Sequence, residues 1–212
     1  MFDYAGEFEV HVTVRPPTPA AFERFRTWCQ SHDCKCIRIV LARGDYVEQP
    51  MATWWRGATT LPAVVAEARN LIGELERGTV PIARLKVEAA QDNADVPQSD
   101  ADAAVQDSAN YFEYHVKLLR SQGADYEALV QECIKLGAHL SRNAWRESSD
   151  GQEERFVTLR CYRVGRASAE QRLQRLLAAL NELGEKMIEV ESEYTVYDSN
   201  VELDAGWLPN AM

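Results

Sequence analysis

The chain has 212 residues, 46% of them hydrophobic and 26% charged, the balance of a globular protein with one large or two small domains. Its net charge of −10 argues against nonspecific nucleic-acid binding, because a phosphate backbone needs clustered Lys and Arg. No run approaches the roughly 18 apolar residues of a membrane span, Met1-Phe2-Asp3-Tyr4 lacks the basic-then-apolar order of a signal peptide, and an odd count of five cysteines favours reduced thiols, so the expected location is cytoplasmic, without a membrane partner.

From the N-terminus, Glu7 to Arg15 alternates and is rich in Val, which predicts a strand ended by Pro16, Pro17 and Pro19. Ala20 to Ser31 places Phe22, Phe25 and Cys29 on one helical face. Cys36 to Ala42 and Gln49 to Arg56 predict two more strands, joined through the turn residues Arg43-Gly44-Asp45. Leu61 to Arg77 predicts a helix that starts with Pro62 in its first turn and stops at Gly78, and Pro81 to Ala89 a fourth strand. Residues 91–108 hold five Asp, no Lys or Arg and almost nothing to bury, so a mobile acidic linker is expected there.

The second half repeats the order. Phe112 to Arg120 is a predicted strand, Asp125 to Leu136 a helix closed by Gly137, and His139 to Arg146 and Glu154 to Val164 two strands around the turn Ser148-Ser149-Asp150-Gly151. Ala169 to Leu183 is a helix with Ser168 as its expected N-cap, and Met187 to Tyr197 the last strand. A tail from Asp198 carries Leu203 and Trp207 and is expected to strap back onto the body, where its acidic and amide groups could close one end of a cleft.

The halves also share wording. Phe8-Glu9-Val10-His11-Val12 returns as Phe112-Glu113-Tyr114-His115-Val116, Met51-Ala52-Thr53 as Phe156-Val157-Thr158, and Lys86-Val87-Glu88 as Glu189-Val190-Glu191. The expected fold is therefore α+β. Two ferredoxin-like βαββαβ repeats, residues 1–90 and 109–212, would pack sheet to sheet as a pseudo-twofold dimer within one chain. Each repeat leaves one sheet face free of helices, and the two free faces would enclose a cleft.

Alternation decides what enters that cleft. Glu9, His11 and Thr13, then Glu113, His115 and Lys117, share the helix-free faces, and Arg84, Lys86, Glu88, Glu189, Glu191 and Glu193 join them from the last strands. His11 and His115 are candidate proton carriers, with Glu9 and Glu113 as their orienters or as ligands of a divalent metal. Thr13, Lys86, Lys117, His139, Ser141, Arg142, Asn143 and Arg160 are candidate ligand-binding residues. Arg142, Arg146, Arg155, Arg160 and Arg163 come from two adjacent strands, and those sharing a face would form an anion site. The alternative is a solvated sheet face with cross-strand ion pairs of small energy. Cys29, His32, Cys34 and Cys36 offer four zinc-ligand types, though at the spacing of no common finger, and reduced thiols at a helix–strand join are the plainer account. Trp54 and Trp55 should point to opposite faces, one into the core and one toward the cleft.

The whole string resembles a family of uncharacterised bacterial and plant proteins. His11-Val12-Thr13 is similar to the His-x-Thr motif of the 2H phosphoesterases, in which two motifs face each other across a duplicated fold. That resemblance implies proton exchange by His11 and oxygen binding by Thr13, while the second copy reads His115-Val116-Lys117 and His139-Leu140-Ser141 fits the short motif on another strand. Glu113-Tyr114-His115-Val116-Lys117, Glu189-Val190-Glu191 and Leu159-Arg160-Cys161-Tyr162-Arg163 resemble the strands of the CYTH triphosphate-tunnel proteins, with His115 in place of their central Glu. Together these lead to an expected anionic, phosphorylated small-molecule ligand, bound and hydrolysed or rearranged in the cleft. A binding module without catalysis is the other expectation.

Overall fold

The computed structural model describes residues 4–16, 18–143 and 151–207. The first repeat comprises β1 (Ala5–Val14), α1 (Pro19–Ser31), β2 (Lys35–Leu41), β3 (Glu48–Thr60), α2 (Leu61–Arg77) and β4 (Ile82–Ala90). A short α3 (Asp100–Ala103) precedes the second, which comprises β5 (Tyr111–Ser121), α4 (Glu127–Lys135), β6 (Ala138–Asn143), β7 (Gln152–Tyr162), α5 (Arg166–Glu182) and β8 (Met187–Asp198), followed by the 3₁₀ turn η1 (Val201–Asp204). The fold is α+β with two ferredoxin-like repeats. No helix among the described residues is long and apolar enough to cross a membrane.

The strands form one closed antiparallel barrel in the order β1-β3-β2-β6-β7-β5-β8-β4. Each repeat contributes the order 4-1-3-2, so the helix-free faces meet as expected, but their edges also hydrogen-bond. β2 pairs with β6 through Val40 and Arg142, and β4 with β8 through Ala89 and Tyr194. Closure leaves neither repeat with an unpaired edge. The interior is thus a lumen rather than an open cleft.

Period-two alternation sorts the side chains. Phe8, Val10 and Val12 of β1 and Phe112, Tyr114 and Val116 of β5 are buried beneath the helices, each large apolar side chain there stabilising by about 1.5–3 kcal/mol. α2 packs on β1, β3 and β4, whereas α5 packs on β5 and β7. α1 starts on the Thr18 cap, whose hydroxyl accepts from Ala21 N at 3.1 Å, with Pro19 at its first position. α5 begins at Arg166, three residues earlier than expected. Its N-cap is Gly165, because Ser168 instead donates its hydroxyl to Asp100 at 3.0 Å.

That contact corrects the expectation for residues 91–108, which pack against the barrel. Asn93 Oδ1 accepts from Glu7 N at 2.9 Å, Asp100 Oδ1 accepts from Gly165 N at 2.8 Å, and Asp92 pairs with Arg166 at 2.7 Å. Ser99 and Asp102 form a capping box, and Val96 and Ala103 are buried. The Asp residues that looked like solvated charge are acceptors for backbone and side-chain donors. Gly165 lets the segment approach, since a Cβ there would lie 2.2 Å from the Ser99 carbonyl carbon.

Register corrects a second expectation. His11 lies opposite Lys86 and His115 opposite Glu191, while Glu9 lies opposite Glu88 and Glu113 opposite Glu193. The counterpart of Lys86-Val87-Glu88 is therefore Glu191-Ser192-Glu193, two residues beyond the expected match. The Thr53 and Thr158 match holds, each lying opposite its histidine. Where β8 meets β4, Glu88 pairs with Thr195 and Val87 with Tyr197, leaving Val196 as an extra residue. This bulge lets Thr195 and Asp198, three apart, both reach the lumen.

Candidate functional site

The lumen has one apolar and one charged wall. Ile37, Ile39, Leu41, Met51, Trp55 and Phe156 line one side of a cavity of about 200 Å³, and β1, β4, β5 and β8 supply the other. One end is closed by the C-terminal strap. Asp204 and Trp207 are buried there, Gln49 Nε2 donates to Asp204 at 2.9 Å, and Trp207 Nε1 donates to Leu140 O at 3.3 Å. Gly44 and Gly206 allow the strap to lie against the β2–β3 turn, where Asp45 N donates to Ala205 O at 3.0 Å. Toward the other end lie Trp55, 49% exposed, and the exposed Glu191. Trp54 fills the core, so the tryptophan pair divides as expected.

Both histidines stand in this one lumen. His11 Nδ1 and Thr53 Oγ1 share a hydrogen bond of 2.9 Å, and His115 Nδ1 and Thr158 Oγ1 one of 3.0 Å. Each threonine fixes its ring and leaves Nε2 toward the charged wall. His11 Nε2 meets Glu88 Oε2 at 2.7 Å. His115 Nε2 lies 3.7 Å from Glu113 Oε2, beyond hydrogen-bond reach.

Between the histidines runs a buried charge lattice. Lys86 Nζ contacts Glu88 Oε1 at 2.8 Å and also Glu113 Oε2, so one ammonium ties a carboxylate of each repeat. Thr195 donates to Glu88 Oε1 at 3.1 Å. Arg160 Nε donates to Glu113 Oε1, and its Nη2 meets Asp204 at 2.9 Å. Arg84 meets Asp204 at 2.8 Å and also pairs with Asp198. Burial pushes the Glu113 carboxyl up, but Arg160 and then Lys86 bring it down to about 2. Burial opposes ionisation of Glu88 too, and Lys86 and then His11 hold it well below the usual range. Glu193 goes the other way: burial, then the charge of Glu88 and the neighbouring Glu9, raise it well above a normal carboxyl.

The expected site residues divide accordingly. Glu9, His11, Thr13, Lys86, Glu113, His115, Lys117, Ser141, Asn143 and Arg160 line the cavity together. Arg142 does not, because it alternates with Ser141 and Asn143 and so faces outward. Arg155 is turned to Tyr126 and Glu153, and Arg163 is exposed beyond the end of β7. Arg146 lies outside the described residues. The expected arginine cluster thus contributes only Arg160 among the described residues. His139 faces inward but is covered by Trp207, with ring centroids 5.7 Å apart. Burial, then Arg43 and Arg160, lower its pKa to about 4, so it is neutral at pH 7.

The Cys–His set does not converge as zinc ligands. His32 stacks on Trp28 at 4.3 Å and turns Nε2 to Glu74 at 2.9 Å, while Cys29 is a buried free thiol and Cys34 and Cys36 are half-buried free thiols. Sequence reasoning left Thr53 and Thr158 without roles, and placed Glu88 and Glu193 on the helix-free faces without naming them among the site residues. The signal for the threonines was present, since each follows its histidine by a near-identical interval, 42 and 43 residues.

No family model matches the chain, and no curated protein matches it in sequence. Among solved structures it is similar to a protein described as a glycine cleavage system transcriptional repressor, at 13% identity, with 89% of this chain and 96% of that chain covered and a TM-score of 0.29. It is also similar to the imidazole complex of chlorite dismutase from Candidatus Nitrospira defluvii, at 12% identity, with 91% and 92% covered and a TM-score of 0.31. Likenesses of this size carry no inference about ligand or activity.

Proposed function

We propose that the lumen binds a metabolite-sized organic molecule with an apolar body and a polar head, and that His115 exchanges a proton with that head. The observation that carries this reading is the His115 ring: Thr158 holds its Nδ1, while its Nε2 sits in the shared cavity, where among the described residues Glu113 Oε2 lies 3.7 Å away, beyond hydrogen-bond reach. An imidazole held on one side and free on the other suits general acid–base chemistry. The wall from Ile37 to Phe156 supports an apolar body, and a cavity of about 200 Å³ favours a molecule smaller than the drug-sized ligands of about 300–1,000 Å³ sites.

The phosphorylated ligand expected from sequence gains less support. Arg84, Lys86 and Arg160 already meet Asp198, Asp204, Glu88 and Glu113, and Lys117 meets Glu189 at 3.0 Å. A phosphate would have to displace a buried carboxylate from its cation. A neutral or basic head group hydrogen-bonding to His115 and the Glu9–Glu193 pair fits the lumen better.

The test is a ligand-detected NMR screen of small amphipathic compounds against the wild type and Ile39→Trp, which fills the apolar wall. Hits should lose binding to Ile39→Trp, and any hit that turns over should lose turnover, with binding kept, in His115→Asn. Hits that bind Ile39→Trp equally well would place the site elsewhere and overturn the reading. Binding without turnover by any hit would leave a binding module and remove the catalytic half.

A further inference from the structure

The pseudo-twofold relates two sets of side chains across the lumen. Glu113 and His115 of β5 with Glu88 of β4 form one set, and Glu9 and His11 of β1 with Glu193 of β8 form its twin, because Glu88 opposite Glu9 and Glu193 opposite Glu113 occupy equivalent register positions. The first set holds a cation of the protein's own. The Lys86 ammonium sits between Glu88 and Glu113. In the twin the position of Lys86 is Glu191, and among the described residues no Lys or Arg makes an ion pair with Glu9, Glu191 or Glu193.

We infer that Glu9, His11 and Glu193 form a binding site for a divalent first-row metal ion, with Glu191 as a further carboxylate beside them. This adds a cofactor to the lumen reading and depends on it only for placing the ion where a bound molecule could meet it. One ligand atom from each of the three residues lies within 4.8 Å of the others. Donors on one ion at about 2.1 Å are at most about 4.2 Å apart, so closing onto an ion requires side-chain shifts of about half an ångström. Thr53 on His11 Nδ1 orients the ring as outer-sphere partners do in metal sites and turns Nε2 into the cluster. That nitrogen also meets Glu88 Oε2 at 2.7 Å, so an ion would take it in exchange for this contact, while Glu88 keeps Lys86 and Thr195 on Oε1. One imidazole with two carboxylates suits Mn²⁺, Fe²⁺ or Zn²⁺ better than Ca²⁺ or Mg²⁺, which favour oxygen donors alone.

The experiment titrates Mn²⁺ into chelator-treated protein and follows loss of the free-ion EPR signal, with Zn²⁺ competition as a second readout. One ion should bind per chain, and Glu9→Gln and Glu193→Gln should each weaken it by at least about tenfold. Glu191→Lys should abolish binding by supplying an ammonium where Lys86 supplies one in the other set, and should raise the melting temperature as Mn²⁺ raises that of the wild type. Circular dichroism establishes that each variant is folded. Failure of the wild type to bind Mn²⁺ or Zn²⁺, or binding that persists in folded Glu9→Gln, Glu193→Gln or Glu191→Lys, overturns the site. The probe is the metal alone, so its failure is separate from failure of the ligand screen.

Discussion

Lys86→Met removes one ammonium while keeping most of the stem, and it strikes the point where the two repeats are electrostatically joined. The Lys86 side chain is 10% exposed, and those of Glu88 and Glu113 are 0% and 1%. Taking away one partner of a buried ion pair costs about 3–5 kcal/mol, because the remaining charge has lost its compensation. The depression of Glu113 from 4.5 to about 2 represents roughly 3 kcal/mol of stabilisation of its ionised form, and Lys86 is its second source after Arg160. Glu88 loses its leading cation and keeps Thr195 and the two histidines, His11 and His115. A loss of about 3 kcal/mol is therefore expected in urea denaturation at pH 7. A carboxyl whose folded pKa is lowered contributes fully above its unfolded pKa and loses that contribution as pH falls through the folded value. For Glu113 the window runs from 4.5 down to about 2. The deficit of Lys86→Met should consequently be largest at neutral pH and narrow below about pH 4.5, where protonation relieves the uncompensated carboxylates. A deficit under about 1 kcal/mol at pH 7, or one that is the same at pH 7 and pH 3.5, would refute the claim that this ammonium holds the lattice together.

Two further substitutions test the strap and the segment between the repeats. Gly165→Ala places a methyl 2.2 Å from the Ser99 backbone, so a loss of about 1–3 kcal/mol and faster proteolysis within residues 91–108 are expected; unchanged stability and protease resistance would mean the segment is not docked as described. Trp207→Ala uncovers His139, whose pKa of about 4 should rise toward 6.5 as its burial is relieved, followed by NMR titration of the ring; a value that stays near 4 would assign the shift to Arg43 and Arg160 instead.

Much of the fold was legible because duplication and alternation are local signals. Phe8-Glu9-Val10-His11-Val12 already contains both faces of β1, and its echo in β5 gave the two repeats and the lumen-facing histidines together. Three things were less legible, for physical reasons. Arg142 belongs to the same run as Ser141 and Asn143, and only the registration of β6 on β2 and β7 decides which of them face inward. Residues 91–108 have the composition of a linker, but their acidic groups meet donors such as Gly165 N and Arg166 that are remote in sequence. The correspondence of β4 and β8 was misplaced by two residues because Val-Glu recurs in β8, and hydrogen bonding, not wording, sets the register.

That register explains why one fused chain can do what two identical subunits could not. In a symmetric dimer of one repeat, whatever stands at the Lys86 position stands twice. Two lysines would fill both carboxylate sets and leave the lumen with no place for an external cation, and two glutamates would leave both sets uncompensated. Here the pair is Lys86 and Glu191, Trp55 is matched by Arg160, and Thr13 by Lys117. Each substitution moves charge to one side of the pseudo-twofold while the His–Thr pairs and the Glu9 and Glu113 positions stay common to both. The first-repeat strands β2 and β3 present Ile37, Ile39 and Trp55 to the lumen, whereas β7 and the strap present Arg160 and Asp204. Duplication in a single chain thus lets a barrel built on twofold geometry carry an asymmetric lumen, which a ligand with one apolar and one polar end requires.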